Sequence, residues 1–358
     1  MNALAQRLAR AIRFEGPLSL SVVMTLALHD PECGFYARGE AIGAEGAFVT
    51  APEISQIFGE LLGLWIFQTW RDQGRPTKST MVELGPGRGT LLCDALRTWR
   101  REPEFLDAIE LVLVEASAAL ESAQRARLEG SPVPVRWVRQ WSDVAADGPL
   151  FLLANEFLDA LPVRQFVMTT RGWCERMVTA DAADKLAFAL APYPTTVLIP
   201  PGRTAADPGA VYEISPAALS LIEDVAHAIT ARGGAALFVD YGHSGEGFGE
   251  TLQALNHHRA VDVLERLGEA DLSAHVDFGA AAQCARAAGA RTYGPLAQGS
   301  FLGALGIEAR AARLESANPE RAAEIRDGVR RLVKPSEMGT LFKALALVPQ
   351  NAPGPPGF

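Results

Sequence analysis

Apolar residues recur at close to helical spacing over 17–28 and 54–71, which predicts two helices. Pro52-Glu53, just ahead of the second, places a proline and an acid where a first helical turn tolerates them. Residues 1–78 therefore read as a mainly helical N-terminal extension. After the polar break at 75–79 the pattern changes. Short, near-continuous apolar runs at 80–84, 109–115, 133–138, 150–154 and 235–241 alternate with helical stretches near 90–100, 117–129 and 216–231. Runs without a polar face need cover on both sides, so the expected fold is a doubly wound α/β core around a parallel sheet. Ser215-Pro216 supplies a cap and a first-turn proline, and Gly233-Gly234 ends the helix that leads into the fifth run.

The core is expected to occupy 79–349 with insertions at about 164–212 and 242–279. The first insertion carries two β-like stretches around Arg171-Gly172. A helix at 280–288 and a last apolar stretch at 341–348 follow. The tail, 350–358, is rich in Pro and Gly and is predicted to have no fixed structure.

Composition narrows the function classes. The chain has 358 residues, 48% hydrophobic and 21% charged, which excludes disorder for most of its length. A net charge of −9 argues against a broad nucleic-acid footprint. Cys33, Cys93, Cys174 and Cys284 lie far apart without a CxxC pair and read as free thiols in a reducing compartment. No apolar run is long enough to cross a bilayer. Arg7, Arg10 and Arg13 interleaved with Leu4, Leu8 and Ile12 would suit a transit peptide, but read more simply as a first surface helix.

The chemistry concentrates where strands end. Glu83-Leu84-Gly85-Pro86-Gly87-Arg88-Gly89-Thr90 closes the first run with three glycines in alternate positions, and its ExGxGxG spacing differs from the GxGxxG of dinucleotide binders. It resembles motif I of class I S-adenosylmethionine methyltransferases. Glu115 ends the second run, where an acid can accept from both ribose hydroxyls. After the third run, Trp141 could stack on an adenine and Asp143 accept from its amino group; Trp141 could equally be a rim aromatic. After the fourth, Asn155, Glu156 and Asp159 bring one amide and two carboxylates to the same edge.

A guanidinium acceptor needs carboxylates to orient it and localise its charge, so Glu156 is the first catalytic candidate and Asp159 the second. Glutamates at this point of the fold occur in protein arginine methyltransferases, a likeness of position only. Helix capping by Asn155 and a surface place for Asp159 remain alternatives. His257, His258, His275 and Asp277 form a polar collection without metal-ligand spacing and read as pocket walls or satisfied hydrogen-bonding groups; no metal is expected.

Longer strings carry a family resemblance. Gly16-Pro17-Leu18-Ser19, the stretches 30–36 and 46–60, the Glu83 to Thr90 loop, Asn155-Glu156-Phe157 and the stretch 271–278 together resemble the MidA family, over residues 4 to 349. That family includes the mitochondrial respiratory complex I assembly factor 7. The resemblance implies a Rossmann-like class I methyltransferase fold with inserted substrate-binding segments. It also implies that Gly85, Gly87, Gly89 and Glu115 hold S-adenosylmethionine; Glu83 and Asn155 are further cofactor-binding candidates at the same strand ends. It further implies symmetric dimethylation of an arginine on a NuoD-type complex I subunit, with no membrane insertion. Ala47 and Ala51 depart from it, standing where the family string has Asp and Ser. A bacterial cytoplasmic enzyme is expected, with eukaryotic relatives in the mitochondrial matrix. The alternatives are methyl transfer to a small molecule or RNA, and a non-catalytic assembly chaperone that binds the cofactor for stability.

Overall fold

A computed structural model describes residues 2–38, 50–245, 247–257 and 259–358. The central sheet uses strands β1 (Ser79–Leu84), β2 (Ile109–Val114), β3 (Val135–Val138), β4 (Leu150–Asn155), β5 (Gly234–His243), β6 (Arg291–Ala297) and β7 (Phe342–Val348). Their order is β3-β2-β1-β4-β5-β7-β6. The first five are parallel; β7 runs antiparallel to both β5 and β6. The apolar runs resolve into two faces. Phe151 and Leu153 of β4 point to one core with Leu237 and Val239 of β5, while Leu150, Leu152 and Ala154 point to the other with Ala236 and Phe238. Side-chain alternation along a strand buried on both sides explains why no polar phase appears in these segments.

On the first face, Gln56–Asp72 packs against Thr90–Trp99, with Trp65, Trp70 and Trp99 fully buried. On the second lie Pro216–Arg232 and Phe278–Ala287. Ser215 accepts from the Ala218 amide, and Gly233, at φ 86°, closes the helix. Strand order reverses direction between β1 and β4, and the crevice above such a reversal is where ligands bind in this class of sheet.

The N-terminal extension divides in two. Ala3–Glu15 and Leu20–His29 pack away from the sheet, sharing a core with Val163, Val178, Leu252, Ala254 and Leu272. Those partners lie on or directly beside the inserted strands, among them Arg164–Thr169 and Gly172–Ala180, which pair across Arg171-Gly172, and a three-stranded sheet of Gln253–Asn256, Arg259–Val261 and Asp271–Ser273. Leu18–Ser19, within the extension, pairs with Gly172–Ala180. The segment 289–340, outside the elements predicted from sequence, holds β6 and the helices Gln298–Ala304, Ile307–Ala317 and Ala322–Val333. Its strand is half-exposed along most of its length, while Ala322–Val333 carries a clear apolar stripe, Val329 and Leu332 buried, that the sequence reading passed over.

The tail corrects an expectation. Residues 350–358 are packed, not without fixed structure: the Phe358 ring lies 5.0 Å from Phe301 and 6.3 Å from Tyr293, and the Trp65 indole donates to the Pro356 carbonyl at 3.0 Å. One aromatic anchor and one satisfied indole outweigh a composition that otherwise favours disorder.

Candidate functional site

A cavity of about 320 Å³ opens at the carboxyl ends of β1, β2 and β4. Gly85, Gly87, Glu115, Trp141 and Glu156 line it, together with His29 and Tyr36 from the N-terminal lobe. A smaller recess of about 40 Å³ adjoins it, walled by Glu83, Gly85, Gly87, Arg88, Asn155 and Glu156. The glycine loop is shaped by backbone geometry: Gly85 and Gly87 have φ of 59° and 55°, and a Cβ on Gly85 would sit 2.6 Å from the Phe157 ring. Glycine holds those angles without strain and lets a ligand approach the main chain. Gly89 lies behind the cavity wall, at φ 76° ahead of Thr90–Trp99, where it completes the turn.

Glu115 is buried, and both its oxygens are engaged: Oε1 accepts from the Ser117 amide at 2.7 Å and Oε2 from the Gln124 side chain at 3.0 Å. Burial raises its pKa, while these two donors lower it. Glu83 is different. Burial pushes it up to about 8, and its Oε2 has no hydrogen-bond partner. The Asn155 side chain donates to Glu156 Oε1 at 3.2 Å, leaving Asn155 Oδ1 without a partner. Two buried oxygens without donors at one small recess fit a cationic group, such as the α-ammonium of S-adenosylmethionine.

Glu156 stands where the two recesses meet. Its backbone has φ 50°, a conformation that costs energy and persists only where the surroundings impose it. Its Oε1 accepts from the Ala51 amide at 2.7 Å. The contact uses main chain, which accounts for an alanine at that position of the family string; Ala47 lies outside the described residues. Burial, with Asp159 adding to it, lifts Glu156 to about 7 against these donors. The turn after Glu156 is held by Asp240, a residue outside the predicted site set. Its Oδ2 accepts from the amides of Phe157, Leu158 and Asp159 at 3.1, 2.9 and 3.2 Å, and its Oδ1 from that of Tyr241 at 2.9 Å.

Asp159 is buried behind the cavity wall, raised to about 6 by burial. Asp271, raised to about 8 by burial and by Asp159, accepts from the Tyr36 hydroxyl at 3.4 Å. Among the described residues, none of the half-buried Glu156 and the buried Asp159, Asp240 and Asp271 has a salt bridge to a basic side chain, an unusual concentration of acid away from water.

Other candidates fall away from this centre. Asp143 is exposed and accepts from Gln140 at 3.2 Å; Gln140 and Trp141 reach the cavity and Asp143 does not. Asp277 caps Phe278–Ala287 by accepting from the Ala280 amide at 2.9 Å. With His275 it lines a separate recess of about 30 Å³. His257 is exposed, and His258 lies outside the described residues. No group of three or more potential metal ligands is assembled among the described residues. His29 and Gln124 carried no motif that would single them out from sequence, and Tyr36, though it ends the family stretch 30–36, was given no role there; only the fold brings the three to the cavity or its wall.

Comparison with known proteins places this geometry. Residues 61–296 match the family described as S-adenosyl-L-methionine-dependent methyltransferases. The Xenopus tropicalis protein named protein arginine methyltransferase NDUFAF7, mitochondrial, is 37% identical over 98% of this chain and 86% of its own length. The human protein of the same name is 37% identical over 98% of this chain and 84% of its own. Among solved structures, a Burkholderia thailandensis protein bound to S-adenosyl-homocysteine superposes with a TM-score of 0.87 and 30% identity, covering 99% of this chain and 94% of that one. A glycine loop, a buried acid at the end of the next strand and an orphaned acceptor pair on a doubly wound sheet thus have matching relatives over nearly the whole chain, which belongs to the S-adenosyl-L-methionine-dependent methyltransferase family and uses that cofactor.

Proposed function

We propose that the chain methylates a guanidino nitrogen of arginine in a protein acceptor. Glu156 carries this reading: a half-buried carboxylate at the junction of both recesses, without a basic partner, backed by Asp159, Asp240 and Asp271. Bound S-adenosylmethionine supplies a methyl carbon activated by its sulfonium. Glu83 and Asn155 would hold its amino-acid end and Glu115 its ribose, with Gly85 and Gly87 giving room along the main chain. Glu156 would receive the guanidinium, orient one nitrogen and draw positive charge away from it. Raised to about 7, Glu156 favours a cation in the cavity when ionised and is poised to accept the proton the guanidinium releases after transfer.

The names of the relatives support arginine as the acceptor. The MidA resemblance supports a finer reading, symmetric dimethylation of a NuoD-type subunit during complex I assembly in the bacterial cytoplasm. No helix among the described residues is long and apolar enough to cross a membrane. Mass spectrometry of complex I subunits from cells with and without this gene tests it. A dimethylated arginine that disappears with the gene is the expected result; unchanged subunits would redirect the search to another acceptor or to a chaperone role.

A further inference from the structure

Gln124 is fully buried on the helix Ala118–Arg127, and its side-chain amide joins three separate segments. Its Nε2 donates to the Gly87 carbonyl at 2.7 Å and to Glu115 Oε2 at 3.0 Å. Its Oε1 accepts from the Trp137 indole at 3.0 Å. Chemistry fixes which way the amide faces. An indole N–H can only donate, so the oxygen must face Trp137, and both N–H groups are then left for two partners that can only accept. Arg125 lies over the Trp137 ring, 4.1 Å from its centre, and clamps the indole in turn.

We infer that Gln124 is a positioning residue for cofactor binding, locking the glycine loop after β1 and the ribose-side acid after β2 into one preset arrangement through a side chain that itself does not line the cavity. The inference rests on reading Glu115 and the glycine loop as the cofactor clamp. Without the amide, Gly87 loses its only side-chain tether to the neighbouring strand's helix among the hydrogen bonds described, and Glu115 keeps one donor, Ser117, and can swing. Ordering both at the moment of binding would then cost affinity that the preset site does not lose.

Titration calorimetry with S-adenosylhomocysteine on the full chain tests this. Gln124→Met, close in volume and apolar, is expected to weaken binding by about tenfold, the scale of one charge-assisted hydrogen bond. In a Glu115→Ala background the same substitution is expected to add only about two- to threefold, from the Gly87 tether that remains, because the acid it positions is gone. Trp137→Phe, which keeps the ring for Arg125 and removes only the donor that sets the amide's facing, is expected to lose a smaller factor and serves if Gln124→Met does not fold. A merely structural glutamine predicts equal losses with and without Glu115, and that additivity would overturn the proposal. So would unchanged affinity in folded Gln124→Met and Trp137→Phe. Unchanged affinity in Glu115→Ala alone would instead overturn the reading of the clamp on which the inference rests.

Discussion

Two glutamates at the ends of β2 and β4, the strands on either side of β1, show how differently one cavity is built. Glu115 is met by donors from its own neighbourhood, Ser117 and Gln124, on the turn and helix that follow its strand. Glu156 is met from afar, by the Ala51 amide more than a hundred residues earlier, and its turn is held by Asp240, more than eighty residues later. Around Glu115 the cavity is a local construction, with both oxygens of that acid satisfied. The half around Glu156 is assembled from distant segments and leaves acids without basic partners, at the cost of keeping charge out of water. The contrast matches a cofactor that is always the same and an acceptor whose own charge must complete the site.

The largest expected effect breaks the acceptor half alone. Glu156→Gln keeps size and hydrogen bonding but removes the charge, and single-turnover methylation should fall by about a hundredfold or more while S-adenosylhomocysteine affinity stays within about twofold. Equal loss in both measurements would mean the two halves are not separable. Next comes pH. Because Glu156 is raised to about 7 and must be ionised to receive a cation, kcat/KM should climb by about tenfold per unit below that value and level off above it. A flat profile between pH 6 and 8 in the wild-type chain would contradict the assignment. The complementary break, Glu83→Gln, should weaken S-adenosylhomocysteine binding by about tenfold and take up or release fewer protons on binding, since Glu83 is raised to about 8 and a bound ammonium favours its ionised form. The smallest effect is expected from Asp240→Asn. It replaces an oxygen shared by three amides with a group that offers fewer acceptors, so the melting temperature should drop by a few degrees, with methylation reduced less than by Glu156→Gln.

The same contrast explains what was legible in the sequence. The glycine loop and Glu115 follow their strands directly, so an apolar run followed by a glycine pattern or an acid was enough to find them. Glu156 also ends a strand and could be named, but its partners could not, because nothing in the string around Ala51 or Asp240 announces which turn it faces. Gln124 is invisible for another reason: a glutamine on an ordinary amphipathic helix gains its meaning only when Trp137 and Gly87 are folded against it. Asp143 shows the opposite failure. Its position after a strand looked right, but the short helical turn Trp141–Asp143 sends Trp141 to the cavity and Asp143 to solvent. The packed tail failed because composition counts many prolines and glycines but cannot weigh a single phenylalanine with a place to go.

The placing of Trp141 has a spectroscopic consequence. The chain has six tryptophans; Trp65, Trp70, Trp99 and Trp173 are fully buried, Trp137 is stacked beneath Arg125, and Trp141 alone lines the cavity. Emission from the first five belongs to the folded interior and should be indifferent to what the cavity holds. Any change in fluorescence as an adenine enters therefore comes from one known side chain, so that Trp141→Phe should silence the optical signal of binding and turn intrinsic emission into a direct gauge of cofactor occupancy.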